Sequence, residues 1–279
     1  KEGMLLIRRM TLLLTAALLI LLPACSSLEN SSEGAATEIL LSDQSVTVNG
    51  RAASADPDDA VYVGAEIVYY ESGRGDAYGN GSEEDAHSAE EAAQHTVVTI
   101  TQPGVYRLCG RMSAGQIAVD LGKGAKDDPG AVVTLILDGI DITCTVAPAV
   151  IFYRVYECGS KNEETASHTV DTRKAGANVF LPDGSENTVN GSYVARIYEE
   201  GTKDKLHKYD GAFYSKMSMN IDGNGSLTVN GENEGLDSEL HLTINGGIIT
   251  VNAQNDGINT NEDGVSVTTV NGGTLTVNG

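Results

Sequence analysis

The side chains best suited to bind a metal ion are concentrated near the C-terminal end of the sequence. Asn259, Asn261 and Asp263 alternate with other residues and are followed by Gly264. Oxygen ligands at alternate positions before a glycine turn are typical of the first half of a calcium-binding loop. The glutamate that closes an EF-hand is absent, because Val270 stands at the twelfth position. The pattern therefore predicts a calcium site that is not an EF-hand.

Further carboxylates recur upstream, each followed by glycine. Asp210, Glu234 and Asp256 begin segments that start 24 and 22 residues apart. If these segments stack, the carboxylates form a column of repelling charges, and a bound cation relieves the repulsion. The predicted calcium ligands are Asp210, Glu234, Asp237, Asp256, Asn259, Asn261 and Asp263. The alternative is a solvated acidic edge in which Asn and Asp serve only as turn residues.

An internal repeat supplies the elements that would position these ligands. Residues 221–230, 244–252 and 270–278 share the pattern aliphatic, Asn or Asp, Gly, Gly, any residue, Ile or Leu, Thr, Val, Asn, with one insertion in the first copy. A period of 22–24 residues with two or three short strands matches one coil of a parallel β-helix. The alternation sends Leu, Ile and Val inward, and Asn at equivalent corners can share amide hydrogen bonds.

The composition is that of strands and turns. The 279 residues include 32 Gly and no Trp, and no long helical pattern follows the N-terminal segment. We predict an all-β protein with a parallel β-helix over residues 45–279. The sequence ends at the same Asn-Gly corner as earlier coils, so we expect a helix that is truncated at its C-terminus. An antiparallel sandwich is the alternative.

The N-terminal segment has the features of an export signal. Two arginines precede an apolar run over residues 10–22, which is too short to span a bilayer core of about 30 Å. We predict a signal peptide over 1–24, lipidation of Cys25 and a linker over 25–44. The protein would then be lipid-anchored at the extracellular face of the cell membrane. An ordinary signal peptide with an incidental Cys25 is the alternative.

Export and charge limit the possible partners. An exported chain permits disulfides, and Cys144 and Cys158 flank one strand-like run, so we predict a bridge between them. The net charge of −21 repels phosphates, so we expect no nucleic-acid partner. It also repels other polyanions unless a divalent cation bridges the two surfaces. The oligomeric state cannot be predicted from these features.

Several ordered segments between residues 97 and 279 carry a family resemblance. They are GVYRLCG, GQIAVDLG, VVTLILDGIDITC, DGAFYSK and NDGINTNEDG. Together they resemble the carbohydrate-binding β-helix family of clostridial cell-surface proteins. The resemblance implies a right-handed parallel β-helix that binds calcium and plant cell-wall polysaccharide, either acidic pectin-type chains or cellulose. The implied fold is similar to that of the family-nine polysaccharide lyases.

Those lyases hold calcium with a cluster of aspartates and use a lysine as the base for β-elimination. Lys216 is the position that could match the base, and a solvated surface lysine is the alternative. The predicted substrate-binding residues are Tyr209, Tyr214 and Lys216. We expect calcium-dependent polysaccharide binding at the cell surface. A lyase and a structural or adhesive stalk are the alternatives.

Overall fold

The structure is a computed structural model that describes residues 36–167 and 170–279. The predicted signal peptide and the predicted lipidation site Cys25 lie outside these residues. Strands dominate the described chain, and none of its helices has the length and hydropathy needed to cross a membrane. The elements of the N-terminal part are β1 (Thr37–Leu41), β2 (Thr47–Val48), β3 (Arg51–Ala52), β4 (Val61–Gly64), α1 (Ala89–Ala92) and β5 (Thr96–Ile100).

The remaining strands follow in two groups. The central ones are β6 (Gly104–Met112), β7 (Gly115–Asp120), β8 (Val133–Cys144), β9 (Val150–Arg154), β10 (Ala177–Leu181), β11 (Glu186–Gly191), β12 (Val194–Tyr198), β13 (Lys205–Tyr209) and β14 (Gly211–Ser215). The C-terminal ones are β15 (Met219–Gly223), β16 (Ser226–Gly231), β17 (Glu234–Ser238), β18 (Leu242–Ile244), β19 (Ile248–Ala253), β20 (Ile258–Thr260), β21 (Thr268–Val270) and β22 (Thr274–Asn278). Two 3₁₀ turns, Ala125–Asp127 and Thr172–Lys174, interrupt the loops.

Strands that are distant in sequence lie side by side in three parallel ladders. The first contains β8, β10, β15, β18 and β21, and the second contains β8, β11, β16, β19 and β22. The third contains β5, β7, β9, β14, β17 and β20. The chain visits the ladders in turn, so that β15, β16 and β17 are followed by β18, β19 and β20. The prediction of an all-β fold is confirmed, and the three ladders are parallel rather than those of an antiparallel sandwich, although β1–β2, β2–β3, β4–β5 and β12–β13 pair antiparallel.

The repeated segments are aligned residue by residue in the second ladder. Leu227 pairs with Ile249 and Val229 with Val251, and all four side chains are buried. Asparagine amides at the end of these strands form a continuous row. Asn230 donates to Oδ1 of Asn190 at 2.7 Å. Asn252 donates to Asn230, and Asn278 donates to Asn252, at 2.8 Å each. The expected sharing of amide hydrogen bonds is therefore present, and it satisfies polar groups that face neighbouring coils.

A glycine follows the acidic residue at the start of β17 and of β20 because the second ladder comes close to it. A Cβ on Gly235 would lie 2.1 Å from Cγ1 of Val251, and one on Gly257 would lie 2.2 Å from Cγ1 of Val277. No side chain fits at that separation. The glycines of these acid-glycine pairs are therefore explained by close packing between two ladders. The acidic residue directly precedes each closely packed glycine.

The predicted boundary of the linker at residue 44 is wrong. Strand β1 already begins at Thr37 and pairs in parallel with β6, from Thr37 opposite Tyr106 to Leu41 opposite Gly110. Ile39 and Leu41 are buried in the common hydrophobic core. The alternation of Ile39 and Leu41 with polar or less buried neighbours is the period of a strand with one buried face.

The predicted bridge between Cys144 and Cys158 is also wrong, because both thiols are free. Cys144 ends β8 and Cys158 follows β9, so the whole of β9 separates them. A strand of this length covers about 16 Å, whereas the Cα atoms of a disulfide lie about 4–7 Å apart. Burial raises the pKa of the Cys144 thiol to about 12, so this thiol stays protonated and unreactive.

Candidate functional site

Three buried carboxylates meet where β14 and β17 lie side by side. Asp210 directly precedes β14, and Glu234 and Asp237 belong to β17. One oxygen from each of these residues lies within 4.8 Å of the others. We call Asp210, Glu234 and Asp237 the acidic cluster. Lys208 donates to Asp210 at 2.5 Å and is the cation of the described chain that pairs with the cluster.

The electrostatics of the acidic cluster are unfavourable without a further cation. Burial and the neighbouring Glu234 carboxylate raise the pKa of Asp237 to about 9. Burial also raises the pKa of Glu234, and Asp210 adds to the shift. Asp237 is 0% exposed. Its Oδ2 accepts no hydrogen bond from any described residue. A buried carboxylate oxygen without a partner is costly to desolvate, so the cluster favours a bound positive charge.

The next strand, β20, adds amide groups to the acidic cluster. Asn259 donates to both carboxylate oxygens of Glu234 at 3.1 Å. Asn261 donates to Oδ1 of Asp237 at 2.8 Å. A side-chain amide carries a carbonyl oxygen as well as its donor group, so both residues can also supply oxygen ligands. The structure thus brings five of the predicted calcium ligands together.

The other two predicted ligands are less closely involved. Leu236 pairs with Ile258, which places Asp256 opposite Glu234, but Asp256 is exposed. Asp263 is exposed and is not one of the grouped carboxylates. Asp210 also departs from the expected column, because Glu234 pairs with Gly211 rather than with Asp210.

The donor set fits a hard divalent cation such as calcium. Carboxylate and amide oxygens are the ligands that calcium prefers, and three carboxylates exceed the single charge that Lys208 supplies. The Oδ2 of Asp237, which accepts no hydrogen bond from a described residue, is an oxygen that a cation could use as a ligand. Asp210, Glu234 and Asp237 would hold the ion, with Asn259 and Asn261 beside them.

A cleft of about 470 Å³ lies along the third ladder and reaches Tyr209, the residue before Asp210. Its floor comes from β4, β5, β7 and β9, which are neighbours in one sheet, and the rest of its lining comes from residues 66–68, β13 and Lys216. The lining side chains include Tyr62, Gln116, Ala118, Tyr153, Tyr209 and Lys216. We call this space the ladder cleft. Volumes of this order are typical of small-molecule sites.

Comparison with known proteins places the chain in a family. Residues 94–279 match the family described as carbohydrate-binding domain-containing protein. The chain belongs to this family. A carbohydrate-binding domain-containing protein of Acetivibrio thermocellus is 34% identical over 158 residues, which are 56% of this chain and 45% of that protein. The chain therefore spans less than half of that relative's length.

A solved structure is also similar to this carbohydrate-binding chain. It is the polysaccharide lyase-like protein from C. thermocellum, as a gadolinium derivative, with 21% sequence identity and a TM-score of 0.49. The alignment covers 86% of this chain and 81% of that chain. The family resemblance expected from the sequence is confirmed as membership of the carbohydrate-binding family.

The predicted substrate-binding residues of this carbohydrate-binding domain occupy different environments. Tyr209 and Lys216 line the ladder cleft, and the Lys216 ammonium lies 5.8 Å from the centre of the Tyr209 ring. Tyr214 is 2% exposed and donates to Glu239 at 2.7 Å. Tyr209 is equally buried at 2% exposed, so neither tyrosine ring presents an open face to a sugar, and Tyr209 differs only in lining the cleft. The Tyr214 hydroxyl positions Glu239.

Glu239 joins the cluster to a group of lysines. Its carboxylate lies 3.0 Å from the Lys161 ammonium and 3.9 Å from that of Lys205. Burial raises the pKa of Glu239, but Lys161 and the Tyr214 hydroxyl lower it more, so the pKa lies below its usual range. Glu239 is therefore ionised, and lysines neutralise its charge. Those lysines do not neutralise the carboxylates of the acidic cluster.

Sequence reasoning missed the residues on the floor of the ladder cleft. Gln116 and Ala118 alternate along β7, and Tyr153 and Arg154 end β9. They lie far in sequence from Lys216, and only the parallel pairing of β7, β9 and β14 brings them together. The signal that was available is the polar Gln116 inside the otherwise apolar run of β7.

Proposed function

We propose that this protein binds acidic, pectin-type polysaccharide in a calcium-dependent manner at the bacterial cell surface. The observation that carries the proposal is the acidic cluster, in which Asp237 is fully buried beside two other carboxylates and keeps one oxygen without a partner. A bound calcium ion would neutralise these carboxylates and offer its remaining coordination positions to a uronate carboxylate.

The negative charge of the chain explains why an acidic polysaccharide would need a cation in order to bind. A chain with a net charge of −21 repels an acidic polysaccharide at long range. A divalent cation held by the acidic cluster would cancel the local negative charge, so the glycan would approach most readily where the cation lies. Tyr209, directly before Asp210 in sequence, lines the ladder cleft, which places the cleft one residue along the chain from the cluster, although the three cluster carboxylates do not line it.

The same proposal includes the finer description of the fold and of the location. We infer that the path through three parallel ladders is that of a right-handed parallel β-helix, because parallel crossover connections are right-handed in about 98% of cases. We further propose export by residues 1–24 and lipid anchoring through Cys25. Mass spectrometry of the N-terminal peptide from the native host tests the anchor, and an unmodified Cys25 would contradict it.

Affinity electrophoresis through a gel containing polygalacturonate tests the binding proposal. The polygalacturonate gel should retard the protein several-fold more in calcium buffer than in buffer that contains a chelator. Asp237→Asn should abolish the difference, because the cluster loses one carboxylate with little change in shape. Asp263→Asn is the matched control, since Asp263 is exposed and outside the cluster. Equal retardation with and without chelator would contradict the calcium bridge, and chelator-insensitive retention on cellulose would indicate neutral glucan binding instead.

A lyase is the second candidate, and the position of Lys216 in the ladder cleft favours it. The neutral amine would take the proton from C5 of a uronate, the C–H electron pair would form a C4=C5 double bond, the C4–O glycosidic bond would break, and the departing oxygen would take a proton from water. Pectate degradation would then produce ultraviolet-absorbing unsaturated uronate, and Lys216→Ala would abolish it. A flat absorbance trace with the unmodified protein rejects the lyase and leaves the binding proposal intact.

A further inference from the structure

The floor of the ladder cleft contains a buried polar group with an unfilled hydrogen-bonding position. Gln116 is 1% exposed. Its Nε2 donates to the carbonyl oxygen of Pro148 at 2.7 Å. Its Oε1 accepts no hydrogen bond from any residue in the described ranges. Buried amide oxygens almost always have a donor, so this one points to a donor from outside the chain.

The cleft around Gln116 has the mixed character of a sugar site. Ala118 lies two residues further along β7, on the same face as Gln116, and its single methyl group leaves space above the floor of the cleft. Tyr153 is half-buried at the end of β9, and its ring meets that of Tyr209 edge-on at a centroid distance of 5.5 Å. Tyr209 is 2% exposed and supports the Tyr153 ring, and the partly exposed Tyr153 offers an apolar surface next to a polar hydroxyl, which suits a sugar ring.

The charges around the cleft leave one lysine available to a ligand. Arg154 donates through two nitrogens to both oxygens of Asp120, so these two charges neutralise each other. Glu66 is exposed in the segment 66–68. Lys216 is half-buried, lines the cleft and forms no ion pair among residues 36–167 and 170–279. Its charge helps to lower the pKa of nearby Glu239, whose carboxylate pairs with Lys161 at 3.0 Å. An unpaired ammonium in a chain of net charge −21 is well placed to pair with a carboxylate.

We propose that the ladder cleft binds one acidic sugar residue, with Gln116 Oε1 accepting a sugar hydroxyl and Lys216 pairing with the uronate carboxylate. The inference rests on the proposed function for the identity of the polysaccharide, but it concerns a second contact, separate from the acidic cluster. Part of the lining, Tyr62 and residues 66–68, precedes the matched family region at 94–279. The contact is therefore built partly by segments outside that region.

Isothermal titration of the full chain in calcium buffer tests the proposal with two probes. One is the trisaccharide of galacturonic acid, and the other is the same trisaccharide with its carboxylates reduced to alcohols. Gln116→Met should weaken both probes about fivefold, the value of one neutral hydrogen bond. Lys216→Met should weaken only the acidic probe, by about tenfold, as expected for a charge-assisted contact. Gln94→Met and Lys123→Met are exposed controls that should bind like the unmodified protein.

Gln116→Met also removes the contact to Pro148, so a second variant guards against misfolding. Ala118→Leu leaves Gln116 and its hydrogen bond in place but fills the cleft, and it should weaken both probes at least as much. Unchanged binding in folded Gln116→Met and Ala118→Leu would overturn the proposal. Equal losses for both probes in Lys216→Met would overturn the acidic specificity.

The two proposals fail in different ways. If chelator removes binding while the cleft variants bind normally, the calcium proposal stands and the cleft proposal falls. If the cleft variants lose binding while chelator and Asp237→Asn have no effect, the cleft is the binding site and the calcium bridge falls.

Discussion

Asp237→Asn should change the stability of this protein in opposite directions with and without calcium. In chelator, the substitution removes one of three carboxylates packed within 4.8 Å of one another. The new amide can still accept the hydrogen bond from Asn261 and can donate to Glu234. Because the pKa of Asp237 is about 9, the folded protein near neutral pH must keep this carboxyl protonated, and an amide of the same shape avoids that cost, which we expect to be about 1–4 kcal/mol. We therefore expect the calcium-free variant to be more stable than the unmodified protein.

In calcium the order should reverse. Selective binding of an ion to the folded state stabilises it by about 2.7 kcal/mol when the ion is at 100 times its dissociation constant. The variant loses a ligand, so it should gain little from calcium and fall below the unmodified protein. Urea unfolding followed by circular dichroism, in chelator and in calcium, measures both differences. Asp263→Asn should follow the unmodified protein in both buffers.

A reversal of the stability order of variant and unmodified protein between chelator and calcium distinguishes a metal site from a solvated acidic edge. An acidic edge would be relieved by the substitution in both buffers, because calcium would then act only by general screening. A variant that is less stable in chelator would refute the reasoning, since it would show that the buried carboxylate stabilises the fold without a cation.

Three further predictions concern the scaffold. Gly235→Ala should lower the urea midpoint by the equivalent of about 1–3 kcal/mol, because the added methyl group overlaps a buried valine of the next ladder; an unchanged midpoint would contradict the packing. Burial raises the pKa of Asp85, but hydrogen bonds from Tyr193 and Ser82 lower it more, so the folded pKa is depressed and this contribution is lost as the pH falls below about 4. Limited proteolysis around Asp85 should therefore increase in acid, and Tyr193→Phe should shift that increase to higher pH; identical profiles would refute it. Alkylation without reductant should leave Cys144 unmodified in the native protein and modify it after unfolding, and a bridged Cys144 would resist both treatments.

The part of the fold that the sequence predicts is the part built from local repetition. Alternating Leu, Thr and Val between asparagine corners specifies which face of each strand is buried, and the period specifies which strands are neighbours. The alignment of Leu227 with Ile249 and the row of asparagine amides follow from those two facts. The repeat also predicted that Asp210 and Glu234 lie together, because acid-glycine pairs recur along it, but it put Asp256 in the same column, whereas the structure puts Asp237 beside them.

Features that depend on segments inserted between the repeated strands, such as the hairpin of β12 and β13, could not be predicted from the sequence. The hairpin of β12 and β13 interrupts a coil directly before β14, so the chain enters β14 with a different turn and Asp210 stands one position away from the expected column. The same hairpin lines the ladder cleft, whose floor is formed by β4, β5, β7 and β9. A contact between β7 and β13 has no periodic signal, since neither segment repeats the other.

The acidic cluster and its two amides draw on β14, β17 and β20, which belong to three successive coils. A stack in which each coil contacts only its neighbours yields to tension one coil at a time. Adjacent coils are offset by 22 residues where Ser226 pairs with Ile248, so each step would release about 75 Å of extended chain. An ion held by the cluster and its two amides would crosslink three such strands and so span two of these steps. If the protein is anchored at one end and bound to a polymer at the other, as proposed, calcium would then set the force at which the stack lengthens, in addition to the affinity for the glycan.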